Sequence, residues 1–305
     1  MDEQIAVLRS ENIHFIDLRG VWDTNVLNLS DQQVTEIKQK LDAHGIGISA
    51  IASPIGKVPI DTPFDEHLQL FERAIALAQF FKAPFIRIFS FYPPAAMEDA
   101  STHTQTADVE SNTSAPAQIN TTTAHMSDAS DANVTSGEKD VVDPARWRDE
   151  VLRRLRELTI RARNANLILL HENEKDIYGD TLARCTDLLQ SINDPHFQAI
   201  LDPANFIQCK QTPYPDAYRE LRPWLRYIHV KDALADGTVV AAGEGLARWP
   251  EILQQLHTNG YEGFFSLEPH LAIAGQYQGF SGPDLFHHAS QALQQLLKSM
   301  DWKYE

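Results

Sequence analysis

Short runs of large apolar residues alternate with longer amphipathic stretches along most of the chain. The runs are nearly unbroken in their apolar character, which is typical of parallel β-strands that are buried on both faces. We expect strands at Ile13–Arg19, Ile46–Ala52, Phe85–Phe91, Leu167–Glu172, Phe197–Asp202, Arg226–Lys231 and Gly263–Glu268.

The stretches between these strands carry apolar residues at helical spacing. The predicted helices are Ser30–Gly45, Phe64–Phe81, Asp143–Ala165, Gly179–Ile192 and His287–Met300. Alternation of strands and helices indicates parallel βα units, either in a closed barrel or in an open, doubly wound sheet. A (β/α)8 TIM barrel needs eight strands, whereas seven are visible and the chain begins in a helical pattern. We therefore expect one α/β domain over 1–305, a TIM barrel that lacks its first strand.

One segment, 95–142, interrupts this pattern with Ser, Thr, Ala, Asp and Asn and almost no large apolar side chains. Such a composition cannot bury enough apolar surface to offset the entropy of ordering. The sequence therefore predicts a disordered, acidic, low-complexity insert within the domain. A regulatory or partner-binding role for the insert is the alternative.

Charge excludes some classes of partner. The 305-residue chain has a formal net charge of −16, and an acidic surface repels nucleic acid and anionic lipid heads. A small uncharged carbohydrate is compatible with it. Two cysteines without a CxxC spacing, and no signal peptide or membrane span, predict a reduced, cytoplasmic protein. An open strand edge invites pairing with another chain, so a homo-oligomer is one expectation.

Four predicted strands end on a side chain that can bind a metal: Glu172, Asp202, His229 and Glu268. Taken singly, each is more typical of a helix cap, a turn or a packed histidine. In a (β/α) barrel, however, the carboxyl ends of the strands converge on one mouth. Three carboxylates and one imidazole favour Mn²⁺ or Mg²⁺, with Co²⁺ or Zn²⁺ as alternatives.

The residues around these positions resemble the xylose isomerase-like sugar phosphate isomerase/epimerase superfamily over nearly the whole chain outside the insert. The resemblance is carried by His171–Asp180, Asp202–Phe206, His229–Ala233 and Ser266–Leu271, and by the earlier segments Ile16–Trp22, Ala52–Ile60 and Ile86–Phe91. It implies a TIM barrel in which Glu172, Asp202, His229 and Glu268 bind one metal ion. It also implies that Glu172 and Glu268 are the catalytic acid/base pair.

Three polar residues near these ends are candidate substrate contacts. Lys231 shares a strand face with His229, and His171 and Asn205 lie beside predicted ligands. Where epimerases of the superfamily often have a second histidine, this chain has Asn205. Arg87, in mid-strand, is expected to form a structural ion pair.

The function that this pattern favours is a metal-dependent isomerase or epimerase acting on a small sugar or sugar-like ketone. It would remove a proton next to the carbonyl and pass through an enediolate. The same site could expel a hydroxyl, as in an inosose-type dehydratase, or belong to an inactive sugar-binding barrel. An apurinic endonuclease would need more histidines and a basic groove.

Overall fold

The structure, a computed structural model, describes residues 1–95, 144–268 and 282–304. The predicted insert therefore lies, except for its first residue, outside the described part of the chain. Seven parallel strands form one curved sheet, in which neighbours in space are also neighbours in this series along the chain. Numbered together with four short hairpin strands, they are Phe15–Leu18 (β1), Gly47–Ile51 (β4), Phe85–Ile88 (β5), Ile168–Glu172 (β6), Phe197–Leu201 (β7), Leu225–Val230 (β8) and Phe264–Leu267 (β11). Every predicted strand is thus present, and within the described residues the sheet is a TIM barrel that lacks one strand.

Helices cover the outside of the sheet: Asp2–Ser10 (α1), Asp31–Ala43 (α2), Phe64–Phe81 (α3), Arg148–Asn164 (α4), Leu182–Ile192 (α5), Pro203–Gln208 (α6), Tyr218–Leu221 (α7), Trp249–Thr258 (α8) and Pro283–Ser299 (α9). Two small hairpins lie at the mouth of the barrel, where the strands have their carboxyl ends. They are Gly20–Val21 with Thr24–Asn25 (β2, β3), and Asp232–Ala233 with Val239–Val240 (β9, β10). No described helix is both long and apolar enough to cross a membrane.

The start of α2 shows how local sequence sets an element boundary. The hydroxyl of Ser30 accepts a hydrogen bond from the amide of Gln33, and the Gln33 side chain accepts one from the amide of Ser30. This reciprocal pair satisfies two donors that a helix start leaves open. The predicted start of this helix is therefore confirmed.

Side chains that point into the barrel form two layers. The lower layer is apolar and aromatic, with Phe15 and Phe264 edge to face at 5.1 Å and Tyr227 stacked on Phe264 at 5.6 Å. The upper layer, at the carboxyl ends of the strands, is polar and charged. Because neighbouring residues of a strand point to opposite faces, Tyr227 and His229 of β8 both point inward, one in each layer. The lower layer fills the interior of the barrel beneath the charged layer.

Candidate metal centre

Four side chains meet at the centre of the upper layer. Glu172 ends β6, Asp202 follows β7, His229 lies in β8 and Glu268 follows β11. One ligand atom from each residue lies within 4.8 Å of the other three. Glu172, Asp202 and His229 are buried, and Glu268 is partly exposed at the mouth. The four strand ends named from the sequence therefore converge on one point.

Two asparagines fix the first two carboxylates. Asn173 holds the backbone of Asp202 from both sides, with its amide group donating to the carbonyl oxygen at 2.9 Å and accepting from the N–H at 3.0 Å. Asn205 Nδ2 donates to Glu172 Oε1 at 3.3 Å. Asp202 Oδ1 caps α6 by accepting from the amide of Asn205 at 2.9 Å. Asp202 can therefore cap the helix and also bind a metal, because its second oxygen, Oδ2, remains directed at the centre of the four-residue cluster.

Two buried cations accompany the carboxylates. Arg87 Nη1 lies 3.2 Å from Glu172 Oε2 and 3.3 Å from Glu268 Oε1. Lys231 Nζ lies 2.9 Å from Asp202 Oδ2 and 3.1 Å from Glu268 Oε2. The ion pair that the sequence predicts for Arg87 is confirmed, and its partners are the two candidate acid/base residues. Arg87 therefore belongs to the site.

The charges around His229 show that carboxylates are in excess here. Burial disfavours the charged imidazolium, yet Glu172 and Glu268 raise the pKa of His229 well above its ordinary value. Burial likewise opposes ionisation of Glu172, but the positive charges of His229 and Arg87 lower its pKa to about 2. The site thus stabilises positive charge at its centre.

The donor set fits a divalent cation. Glu172 Oε2 and Asp202 Oδ2 are buried, and although each has one ion-pair partner, Arg87 or Lys231, neither accepts a hydrogen bond of good geometry, which is unusual for buried polar atoms. Three carboxylates and one imidazole are ligands that hard and borderline divalent ions accept. The cluster can therefore hold a divalent metal, without specifying which.

Asp17 is a part of the site that the sequence analysis missed. It lies below the cluster and accepts hydrogen bonds from Ser49 Oγ and Ser266 Oγ, each at 2.7 Å, and from the Tyr227 hydroxyl. Its Oδ2 is 4.0 Å from His229 Nε2, whereas His229 Nδ1 faces the carboxylates. At that distance Asp17 acts on the ring through its charge and not through a hydrogen bond, and a negative charge behind a ligating histidine raises its basicity.

A cavity of about 270 Å³ opens above the cluster, and Asn205 and Lys231 line it together with Glu172 and Glu268. His171 does not line it. Its ring lies 6.0 Å from that of Phe197, on the helix-facing side of the sheet. The structure therefore offers no support for a substrate contact by His171, because it precedes Glu172 in the same strand, and adjacent strand residues point to opposite faces.

A family model described as a xylose isomerase-like TIM barrel matches residues 5–296. A sequence search among curated proteins finds no significant match. The relevant likenesses are therefore to this family and to solved structures.

Three solved structures illustrate the likeness. A xylose isomerase-like TIM barrel protein from Mycobacterium smegmatis in complex with magnesium is 20% identical, with a TM-score of 0.66 over 97% of this chain and 87% of that one. The probable 3-DHS dehydratase AsbF from Bacillus anthracis is 18% identical, with a TM-score of 0.66 over 96% and 93%. D-psicose 3-epimerase with D-tagatose, from Clostridium cellulolyticum H10, is 13% identical, with a TM-score of 0.64 over 97% and 92%. At these identities the likeness shows a shared fold.

Proposed function

The chain belongs to the xylose isomerase-like TIM-barrel family, and from that premise we propose that it isomerises or epimerises a small sugar or sugar-like ketone with a divalent metal ion. The observation that carries the proposal is the convergence of Glu172, Asp202, His229 and Glu268 at the mouth of the barrel. A magnesium complex among the similar structures supports a divalent ion. An epimerase that is similar in fold supports the reaction class.

In this proposal the same four residues bind the ion, and Mn²⁺ or Mg²⁺ suits their oxygen-rich set best. When bound, the ion polarises the substrate carbonyl and offsets the negative charge that develops on its oxygen. Asp17 places a negative charge 4.0 Å behind the ring of His229, and Asn205 donates a hydrogen bond to Glu172 through its side-chain amide. These contacts keep the ligands in position before substrate arrives.

The two glutamates move the proton. One carboxylate takes the proton from the carbon next to the carbonyl. The electron pair of the broken C–H bond forms a C=C bond to the carbonyl carbon, and the carbonyl π pair moves onto its oxygen to give an enediolate. The other glutamate returns a proton to the same carbon from the opposite face, which inverts it. Return of the proton to the former carbonyl carbon, with transfer of the hydroxyl proton from one enediolate oxygen to the other, gives aldose–ketose isomerisation instead. Two carboxylates on either side of a substrate are what this chemistry requires.

Lys231 and Asn205 are the proposed substrate contacts, since both line the cavity beside the glutamates. Lys231 Nζ is a charged donor that lies 3.1 Å from Glu268 Oε2, so it reaches the position where a substrate hydroxyl or enediolate oxygen would lie.

Dehydration by the same site is the second candidate. The Lys231 ammonium beside Glu268 is an acid that could protonate a departing hydroxyl, while Glu268 or Glu172 removes the proton from the neighbouring carbon. A probable dehydratase is among the structures of similar fold. Loss of one water from the product distinguishes dehydration from epimerisation.

The test is metal-dependent proton exchange in deuterated water with a panel of ketoses and inososes. We expect deuterium at the carbon next to the carbonyl only when the protein carries Mn²⁺, Mg²⁺ or Co²⁺. A variant at an exposed acid far from the mouth, Glu36→Gln, is the control and should exchange normally. Metal-loaded protein that exchanges no proton of any compound on the panel would contradict the proposed function.

A further inference from the structure

Two buried cations lie beside the cluster, and they contact different oxygens of it. The atoms that face the centre are His229 Nδ1 and the three oxygens nearest to it: Glu172 Oε1 at 3.2 Å, Glu268 Oε2 at 3.5 Å and Asp202 Oδ2 at 3.8 Å. These four metal-facing atoms are the set that an ion would bind. The position of each cation relative to this set decides how it acts on a bound metal.

Arg87 contacts the other oxygen of each glutamate. Its Nη1 lies 3.2 Å from Glu172 Oε2 and 3.3 Å from Glu268 Oε1. Its Nη2 donates to the carbonyl oxygen of Ala52 at 3.2 Å, and its guanidinium lies 5.0 Å from the centre of the Phe89 ring. Arg87 is therefore fixed in place and does not contact the metal-facing oxygens.

Lys231, in contrast, contacts two of the four metal-facing atoms. Its Nζ lies 2.9 Å from Asp202 Oδ2 and 3.1 Å from Glu268 Oε2, and the residue is only 7% exposed. A divalent ion on the same two oxygens would lie next to an ammonium of like charge, where little water screens the repulsion. The ion and the ammonium therefore compete for these oxygens.

The side chain of Lys231 has room to give way. It lines the cavity of about 270 Å³ above the cluster, and a lysine has a long, flexible stem. The backbone is held, because the carbonyl oxygen of Lys231 accepts a hydrogen bond from Trp249 Nε1 at 3.3 Å. The preceding strand, β8, is also paired on both sides. Only the side chain has to move for Nζ to leave the two oxygens.

We propose that Lys231 is an internal counter-ion that couples the metal to the substrate. A metal ion displaces its ammonium from Asp202 and Glu268, and the ammonium then bonds a substrate oxygen in the cavity. The inference rests on the proposed function, because that function places the metal at the cluster and the substrate above it. Lys231 thus lowers the affinity for metal, and substrate raises that affinity, since coupling between two ligands is reciprocal.

Calorimetric titration of the chelator-treated protein with Mn²⁺ tests the competition. We expect Lys231→Met to bind Mn²⁺ at least about tenfold more tightly than the unmodified protein, because the competing charge is gone and couplings between sites are typically about 5- to 150-fold. A merely structural role predicts the opposite, because a disturbed site binds metal more weakly.

Lys57→Met is the matched control. Lys57 lines the same cavity, but its Nζ lies 2.9 Å from Glu174 Oε2, away from the four metal-facing atoms. The affinity for Mn²⁺ should then change by less than about threefold, since a pair near the surface has a small effect. The comparison separates competition for two particular oxygens from the general field of the cavity.

Labelling of lysines with acetic anhydride follows the displacement in the unmodified protein. We expect the labelled fraction of Lys231, measured by mass spectrometry, to rise several-fold when Mn²⁺ is added, because its amine leaves the two carboxylates. The labelled fraction of Lys57 should stay the same. This measurement decides the question if Lys231→Met does not fold, and equal labelling of Lys231 with and without Mn²⁺ would exclude the displacement.

The outcomes separate the inference from the proposed function. Equal or weaker Mn²⁺ binding by Lys231→Met, or equally tightened binding by Lys57→Met, overturns the inference and leaves the proposed function standing. Tighter Mn²⁺ binding by Lys231→Met, in a protein that exchanges no proton of any sugar, supports the inference and contradicts the proposed function. No measurable Mn²⁺ binding by the unmodified protein overturns both.

Discussion

Glu268 is assigned both a metal contact and a proton transfer, and one substitution separates them. Glu268→Gln keeps an oxygen that can approach a metal but cannot accept or release a proton at neutral pH. We expect proton exchange to fall by about 10²-fold or more, whereas metal binding weakens and persists through the three remaining ligands. Deuterium uptake and calorimetry measure the two effects. Glu262→Gln, at an exposed position, is the control, and near-normal exchange by Glu268→Gln would show that Glu268 is not catalytic.

Asp17 supports the site without belonging to the four-residue cluster. Because its Oδ2 faces His229 Nε2 at 4.0 Å, Asp17→Asn removes the charge that stabilises the ring as a ligand. We expect metal affinity to fall by about 10- to 100-fold, while the fold is retained because an amide can still bond Ser49 and Ser266. Calorimetric titration with Mn²⁺ measures this, with the exposed Asp31→Asn as control. An unchanged dissociation constant would mean that Asp17 only packs the barrel.

What the sequence could predict of the site depends on how far apart the partners are in the chain. Glu172 and His229 were found because each lies at the carboxyl end of its own strand, which is a local pattern. Asp17 was missed because its partners Tyr227 and Ser266 are brought to it only when the barrel curves. For His171, strand alternation alone places the side chain opposite to that of Glu172, which does not favour the predicted substrate contact.

At the scale of elements, the loop after β10 depends on one buried carboxylate. Asp232 is 0% exposed, and it accepts hydrogen bonds from the backbone amides of Gly243, Gly245 and Ala247 at 2.9–3.1 Å. Asp232→Ala leaves these donors without an acceptor, so we expect a loss of about 3 kcal/mol of stability. Urea unfolding measures it, and Asp236→Ala, at an exposed site, is the control. If the two variants lose stability to within about 0.5 kcal/mol of each other, which is roughly the scatter of surface substitutions, the loop does not depend on Asp232.

His67 makes the contact between α3 and the loop after β4 sensitive to acid. Its Nε2 accepts a hydrogen bond from the amide of Gly56 at 2.9 Å, which requires the neutral ring. Burial, reinforced by the positive charge of Arg154, lowers the pKa of His67 to about 4. The folded state therefore binds this proton less readily than the unfolded state, whose histidine pKa is about 6.5.

The sign of the pH effect follows from that depressed pKa. The contribution of His67 to the free energy of unfolding is fully present above about pH 6.5. It is lost as the pH falls towards about 4, which lowers the stability by roughly 3 kcal/mol in total. We expect the melting temperature to fall over this range and the fall to be smaller in His67→Gln. The exposed His44→Gln serves as control. Equal acid sensitivity in His67→Gln and the unmodified protein would exclude this role.

The elements themselves were predicted better than their exact ends. The helix Phe64–Phe81 was predicted with the bounds that the structure shows, and strands differ by a few residues at their ends. Helix α8, Trp249–Thr258, was not predicted. Pro250 in its first turn was a usable signal. The two small hairpins carry too few residues for any periodicity.

At the scale of the whole molecule, net charge describes the average surface and not the surroundings of one cavity. The net charge of −16 argued against nucleic acid and was compatible with a small uncharged carbohydrate. The barrel gathers cations and carboxylates from separate strands and loops around one cavity, among them Arg19, Lys57, Glu172 and Glu174. Composition cannot show this arrangement, because only the curvature of the sheet decides which charges share a mouth.

The open side of the barrel gives the last prediction. Among the described residues, Phe15–Leu18 pairs only with Gly47–Ile51, and Phe264–Leu267 pairs only with Leu225–Val230. About half of the backbone amides in an edge strand point away from its single neighbour and lack a ladder partner. Ile168–Glu172, by contrast, has a neighbour on each side.

Amide hydrogen exchange measures this difference in the native protein. We expect the outward amides of the two edge strands to exchange on the order of 10²-fold faster than those of Ile168–Glu172, since local opening costs less where a strand is paired on one side. The central strand is the internal control, so no variant is needed. Equal protection that disappears on dilution would mean that a second copy covers the edges. Equal protection at every concentration would mean that another part of the chain pairs with them, and the barrel would then be closed.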